Sequence, residues 1–102
     1  MEPKMTRSSG NVFTDLGFPS EEAEHLRIRS LLIVHLRHLI EARGLNQSQA
    51  AKLFGVTQPR VSDLVQGKID LFSIDALIDM LTRASVRVKL TLSSSRRKLR
   101  VA

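Results

Sequence analysis

The chain has 102 residues, of which 42% are apolar, and it carries a net charge of +6 with no cysteine, tryptophan or tyrosine. This composition predicts one small domain with a single modest core. The absence of cysteine excludes a disulfide framework and a Cys-based zinc site, so we expect a cytoplasmic protein. With four phenylalanines as its only aromatic residues, the chain lacks the stacking platforms typical of proteins that bind single-stranded nucleic acid. No apolar run approaches the length of a membrane span.

The basic surplus is concentrated at the C-terminal end. Residues 83–102 hold seven basic and no acidic side chains, whereas residues 1–82 hold nine basic and ten acidic ones. Attraction to a polyanion is the functional interpretation of this asymmetry. A solubilising tail is the alternative. Charge alone therefore does not identify the body of the chain as a nucleic-acid binder.

An apolar leader, residues 1–19, precedes the first long helix. Its first ten residues are polar, but four large apolar side chains follow within residues 12–18. Such side chains should not be free in solvent. We therefore predict that the leader packs on the body as an extended segment, or as a short strand.

A long helix is predicted from Ser20, as its N-cap, to about Arg43, with Gly44 as its stop. Leu31 and Val34 lie outside its core stripe and face another partner, which is either the leader or a second chain. The sequence leaves both alternatives open. The predicted core stripe consists of Ile28, Leu32, Leu36, Leu39 and Ile40.

Residues 44–68 predict two short helices joined by a tight turn. The first helix covers Gln47–Phe54 and ends at Gly55, which easily adopts the left-handed backbone. Thr57 begins the second helix as its N-cap, and Gly67 ends it. Apolar residues recur at helical spacing on both, at Ala50, Leu53 and Phe54 and then at Val61, Leu64 and Val65.

The outer face of the second helix is polar. A short helix with hydrogen-bonding side chains on its free face fits the major groove of DNA. The alternative is a helical hairpin inside a larger bundle. The side chains left outside are Thr57, Gln58, Arg60, Ser62, Asp63 and Gln66.

The last predicted elements are a helix over Ile74–Arg83, capped by Ser73, and a strand within residues 85–92. Residues 86–92 alternate apolar and polar side chains, as in a half-buried strand. A lone strand needs a partner, which is either the leader or a second copy of the chain. We predict antiparallel pairing with a second copy about a two-fold axis. Residues 20–84 then form the helical domain, and residues 93–102 form a basic flexible tail.

The chain resembles the helix-turn-helix core of the XRE/Cro-repressor family. This resemblance implies a mainly α fold, a lambda-repressor-like bundle of four to five helices. It also implies a sequence-specific transcriptional repressor that binds double-stranded DNA as a homodimer, on a two-fold symmetric operator. The matching residues are Leu45-Asn46-Gln47, Ala51, the turn Gly55-Val56-Thr57-Gln58, Val61, Leu64 and Gly67-Lys68.

The leader resembles that of a HigA-like antitoxin subgroup of small XRE regulators. The shared segment is Asn11-Val12-Phe13, followed by Asp15-Leu16-Gly17. The resemblance implies a type II toxin–antitoxin pair, in which the antitoxin binds a RelE/HigB-like toxin and represses its own operon. A protein-interaction module that uses the same fold without reading DNA is the alternative from another class.

Seven residues are predicted to contact DNA. Gln58 can meet a base edge or a phosphate, Arg60 suits a guanine edge or a phosphate, and Asp63 can accept from cytosine or orient Arg60. The resemblance assigns phosphate contact to Gln47 and backbone contact to Lys68. Pro59 departs from several phage repressors, which puts transfer of a known operator code in doubt. The full set is Gln47, Thr57, Gln58, Arg60, Ser62, Asp63 and Lys68.

No catalytic or metal-binding constellation is evident. His35 and His38 are three residues apart, but His25 lies nearly three helical turns from His35, so the three imidazoles do not converge. No nucleophile–base pairing and no phosphate-binding glycine loop is present. We therefore predict neither an enzyme nor a cofactor.

Overall fold

The computed structural model describes residues 12–93, in which five α-helices and one 3-10 turn surround a single core. The helix α2 packs against α5, and α3 packs against both α4 and α5. This arrangement confirms the predicted mainly helical fold. The helices are α1 Val12–Asp15, α2 Ser20–Ala42, α3 Gln47–Phe54, α4 Gln58–Val65 and α5 Ile74–Arg83, with the 3-10 turn Ile69–Leu71 between α4 and α5.

The core is apolar throughout. Within residues 12–93 no polar or charged side chain is buried, so the fold rests on hydrophobic burial and close packing. Of the predicted stripe on α2, Leu36 is fully buried, and Ile33 is buried although the pattern did not select it. The core residues are Ile33, Leu36, Ala50, Ala51, Phe54, Val61, Leu64, Phe72, Leu77, Met80, Leu81 and Ala84.

Local side-chain chemistry sets most helix ends. Thr57 and Ser73 each accept a hydrogen bond from the backbone N–H of the third residue of the following helix, which confirms both predicted caps. Asn46 and Gln49 form a capping box at α3, in which Asn46 Oδ1 accepts from the Gln49 N–H at 2.7 Å. The predicted N-cap of α2 is wrong, because Ser20 is the first residue of the helix and Pro19 precedes it without a side-chain cap.

The leader is helical where the structure describes it. Residues 12–15 form α1, and the Leu16 N–H donates to the Val12 carbonyl at 3.0 Å. The rings of Phe13 and Phe18 meet edge to face, with centroids 6.1 Å apart. A helical turn supplies backbone hydrogen bonds that an extended segment would have to find elsewhere. The predicted extended segment or strand is therefore wrong over this range, and residues 1–11 of the leader lie outside the described residues.

The second side of α2 is not covered by residues 12–19, the described part of the leader. The helix α1 packs on α2, yet Leu31 remains 51% exposed and Val34 44% exposed. The sequence left two partners open for Leu31 and Val34, the leader or a second chain. Residues 12–19 of the leader do not cover them, and contact with a second chain stays a prediction.

The predicted strand at residues 85–92 is absent from the structure. No strand occurs among residues 12–93. Val86 and Val88 pack at the margin of the core, whereas Leu90 and Leu92 are largely exposed. A strand requires a partner edge, and none is present among residues 12–93, where the leader is helical over residues 12–15. The basic tail from residue 94 onward lies outside the described residues.

Within residues 12–93, no helix combines the length and the apolar character that crossing a bilayer requires.

Gly55 should be sensitive to substitution for a backbone reason. Its φ of 72° lies in the left-handed region, which costs an L-residue about 1–2 kcal/mol. A Cβ there would also lie 2.6 Å from Cδ of Arg83, but the end of that flexible side chain can move. We expect Gly55→Ala to lower the free energy of unfolding by about 1–2 kcal/mol in urea denaturation.

Gly44→Ala is the matched control, because Gly44 has φ 60° and a Cβ added there would meet no atom within 4 Å. The two variants should be destabilised to a similar extent. A much larger effect at Gly55, relieved by adding Arg83→Ala, would show that Arg83 is fixed in place and would contradict this prediction.

Candidate nucleic-acid interface

The helix α4 presents one buried edge and one free face. Val61 and Leu64 are completely buried, whereas Pro59 and Gln66 are exposed and Ser62 is half-buried. With 3.6 residues per turn, these last three lie on the side opposite the buried pair. The free face is therefore formed by small or polar side chains and can approach another surface closely. Val65, which the pattern assigned to the core, is instead 39% exposed.

The predicted contact residues fall into two groups, one at the N-termini of α3 and α4 and one in the C-terminal half of α4 and just beyond it. Thr57 and Gln58 are exposed at the start of α4, and Gln47 is exposed as the first residue of α3. The helices α3 and α4 pack against each other, so both N-termini belong to one compact unit. Helix N-termini carry partial positive charge and free N–H groups, which favour contact with phosphate.

The C-terminal half of α4 carries two polar side-chain contacts. Gln66 Nε2 donates to Ser62 Oγ at 3.1 Å, which links two residues of the free face. Lys68 Nζ lies 3.7 Å from Asp63 Oδ1. Such an exposed pair contributes little to stability. The carboxylate of Asp63, whose side chain is 26% exposed, does partly offset the positive charge of Lys68 in the free protein.

The α4 C-terminus is closed by a Schellman motif. The Lys68 N–H donates to the Asp63 carbonyl at 3.1 Å, and the Gly67 N–H donates to the Leu64 carbonyl at 3.0 Å. Gly67 has φ 75°, which confirms the predicted cap. Lys68 is therefore placed by backbone hydrogen bonds at the end of the free face.

Arg60 is turned away from the free face. Its Nη1 donates to the Leu71 carbonyl at 3.0 Å, and its guanidinium carbon lies 4.3 Å from the ring centroid of Phe72. These are a charge-assisted hydrogen bond and a cation–π contact. The expectation that this side chain is free in solvent is therefore wrong. Contact with a base edge stays a prediction, and it would require the guanidinium to leave both partners.

Two residues of the free face had no assigned role in the predicted set. The sequence pattern had placed Gln66 on the outer face of this helix, four residues after Ser62, but no DNA contact was assigned to it. Pro59 lies on the same face, three residues before Ser62, and offers only an apolar ring. Asn46, the capping residue of α3, was also missed. Its signal was the Asn-x-x-Gln spacing before an apolar run.

Charged and histidine residues elsewhere form no comparable site within residues 12–93. Arg27 and Glu24 on α2 make a 2.6 Å ion pair, and this hydrogen bond raises the pKa of Arg27. His35 and His38 line a shallow apolar cleft of about 200 Å³ with Leu39, Ala42, Leu81 and Val86. Among residues 12–93 no three His, Asp or Glu side chains are grouped as metal ligands.

Comparison with known proteins agrees with the geometry. A family model described as a helix-turn-helix domain matches residues 12–93. The chain therefore belongs to this helix-turn-helix family. Its fold is similar to that of a solved protein described as a putative XRE-family transcriptional regulator. The TM-score is 0.68 and the identity 29%, over 74% of this chain and 85% of that one. No curated protein matches the chain.

Arg60 should contribute to stability in the free protein. Replacing Arg60 with alanine removes a charge-assisted hydrogen bond and a cation–π contact, so the free energy of unfolding should fall by about 1–3 kcal/mol. Urea denaturation followed by circular dichroism measures this decrease.

Gln58→Ala is the control, since Gln58 is exposed on the same helix and should change stability by less than about 0.5 kcal/mol. Equal stabilities of the two variants would mean that the contacts of Arg60 are not maintained in solution.

Proposed function

We propose that this protein is a sequence-specific, DNA-binding transcriptional repressor that acts as a homodimer on a two-fold symmetric operator. The proposal rests on the free face of α4. This face is polar and does not pack against the core, while the buried side chains of Val61 and Leu64 hold the helix in place. The helix-turn-helix family match and the similarity to an XRE-family regulator support it.

In this proposal the first turn of α4 enters the major groove. Thr57, Gln58, Ser62 and Asp63 meet base edges or the adjacent phosphates, and Pro59 offers apolar contact to a thymine methyl. Gln47 and Lys68, at the rim, contact the phosphate backbone. Lys68 would exchange its partner Asp63 for a phosphate, at little cost because the 3.7 Å ion pair is weak.

A homodimer is supported by apolar surface that stays exposed among residues 12–93. Leu31 and Val34 project from one side of α2, and Leu90 and Leu92 project from the segment after α5. Exposed apolar residues that share a helix face are typical of protein contact surfaces. A symmetric dimer would cover the same residues on both copies and would present two recognition helices to successive turns of the groove.

The finer proposal is that the repressor is the antitoxin of a type II pair and binds a RelE/HigB-like toxin. It rests on the resemblance of the leader sequence. Exposed apolar side chains at the start of the described chain, Val12, Leu16 and Phe18, offer surface for such a partner. We further expect a cytoplasmic location, as for any protein that acts on an operator.

Selection of bound fragments from a random DNA pool tests the central proposal. We expect one motif with two-fold symmetric half-sites spaced about one helical turn apart. No enrichment, combined with retained binding to a protein partner, would favour the alternative of an interaction module that does not read DNA.

The basic tail should supply part of the salt dependence of DNA binding. Deleting Ser95–Ala102 removes four basic side chains, and each phosphate that the shortened chain no longer neutralises should lower the log–log salt slope by about 0.9. We expect a flatter slope in fluorescence anisotropy titrations, with the selected sequence unchanged. An unchanged slope would mean that the tail does not neutralise DNA phosphates.

The dimer should depend on the exposed face of α2. Val34→Glu places a charge where apolar contact is proposed, so sedimentation equilibrium at micromolar concentration should show weakened association. Ser48→Glu adds the same charge at an exposed position of α3 and should leave association unchanged. A monomeric parent protein, or a Val34→Glu variant that dimerises normally, would contradict the proposal.

A further inference from the structure

We propose that Arg60 is a positioning residue for DNA recognition, which stays on the loop after α4 when DNA is bound and does not enter the groove. The inference deepens the proposed function and rests on it. In this proposal Arg60 fixes the orientation of α4 relative to the rest of the domain. Sequence discrimination is left to the free face, the side of α4 that carries Pro59, Ser62 and Gln66.

Two arginines from different helices converge on the same two-residue segment. Arg60 of α4 donates to the Leu71 carbonyl at 3.0 Å and lies over the Phe72 ring. Arg29 of α2 donates to the Phe72 carbonyl at 3.5 Å. Phe72 itself is only 1% exposed and belongs to the core. The segment therefore joins the recognition helix, the long helix and the core at one point.

The chemistry of the contact suits a guanidinium specifically. The planar group lies against an aromatic ring and donates an N–H to a carbonyl at the same time, which the ammonium of lysine cannot reproduce. Both acceptors of Arg60 are uncharged, and Arg60 forms no ion pair with any residue of the range 12–93. The contact therefore needs no acidic partner and is less sensitive to salt than an exposed ion pair.

The mechanical reason for such a contact lies in the shortness of α4. The helix has eight residues and only two completely buried side chains, Val61 and Leu64. These two lie along one edge of α4, and the capped turns before and after the helix hold its ends but not its flank. Arg60 lies beside them and ties the flank of α4 to the loop that follows. A small change in the orientation of a recognition helix displaces every base contact at once, whereas non-specific attraction to the phosphates persists.

The position of Arg60 in the complex can be observed directly. A guanidinium held over Phe72 places the Arg60 Hδ protons in the shielding region of the ring, so their NMR signals should be shifted upfield in the free protein. We expect that shift to persist when the duplex selected from the random pool is added to saturation. Loss of the shift on DNA binding would show that Arg60 leaves the ring to contact DNA, and would overturn the proposal.

Variants test the same inference through affinity. Arg60→Ala and Phe72→Leu should each weaken binding to the selected site by about tenfold and binding to random DNA far less. The double variant should bind only slightly more weakly than either single variant, because residues in contact couple. Circular dichroism confirms that each variant is folded at the assay temperature. Phe54→Leu, which shortens an equally buried core ring that makes no cation–π contact with Arg60, is the matched comparison for Phe72→Leu and should keep its preference for the selected site over random DNA wherever it is folded.

Arg60→Lys distinguishes positioning from charge. It keeps the positive charge but not the planar group, so we expect it to behave like Arg60→Ala on the selected site. Affinity restored by lysine, or additive effects in the double variant, would overturn the proposal in favour of a phosphate or base contact. If the protein selects no DNA, the proposed function fails. The coupling free energy between Arg60 and Phe72 can still be measured by unfolding the single and double variants. A measurable coupling would support the contact between the two side chains, and its absence would overturn the contact and the proposal with it.

Discussion

The dependence of a very short helix on its surroundings is the constraint that organises this fold. Isolated helices shorter than about 12–15 residues are marginal in water, and α3 and α4 have eight residues each. The helix α4 contributes only Val61 and Leu64 to the fully buried set. Its position is therefore set by the core that α2, α3 and α5 provide, and this leaves its opposite face free for recognition.

The hairpin geometry follows from backbone chemistry at its turn. Gly55 takes the left-handed conformation at the end of α3, and Thr57 caps the start of α4 two residues later. The Val56 N–H donates back to the Ala51 carbonyl at 3.0 Å and closes the turn. Little freedom is left in the relative direction of the two helices. The Arg60 contacts to Leu71 and Phe72 add a second attachment on the flank of α4, beside its buried edge.

Features determined by neighbouring residues were predictable from the sequence, and features determined by distant contacts were not. The bounds of α3, α4 and α5 and the caps at Thr57 and Ser73 follow from local spacing and hydrogen bonding, and the structure confirms them. The exposure of Val65 was missed because i, i+3, i+4 spacing does not fix how wide the buried edge is.

The same reasoning explains the larger errors. The alternation in residues 86–92 is a necessary pattern for a strand, but a strand also needs a partner edge, which no local signal supplies. Arg60 was placed on the outer face by its polarity, yet its direction is decided by Phe72, which lies beyond the end of α4 in the chain and folds back against it. The polar set at the start of α4 was identifiable by sequence. Its contact with DNA remains a prediction.

Amide chemical-shift mapping with the selected duplex tests the central claim most directly, that the free face of α4 reads DNA. The largest changes should fall on the first turn of α4 and on Gln47 and Lys68 at its rim, with smaller changes along α2. Changes concentrated on the exposed side of α2, around Leu31 and Val34, with α4 unaffected, would contradict the claim.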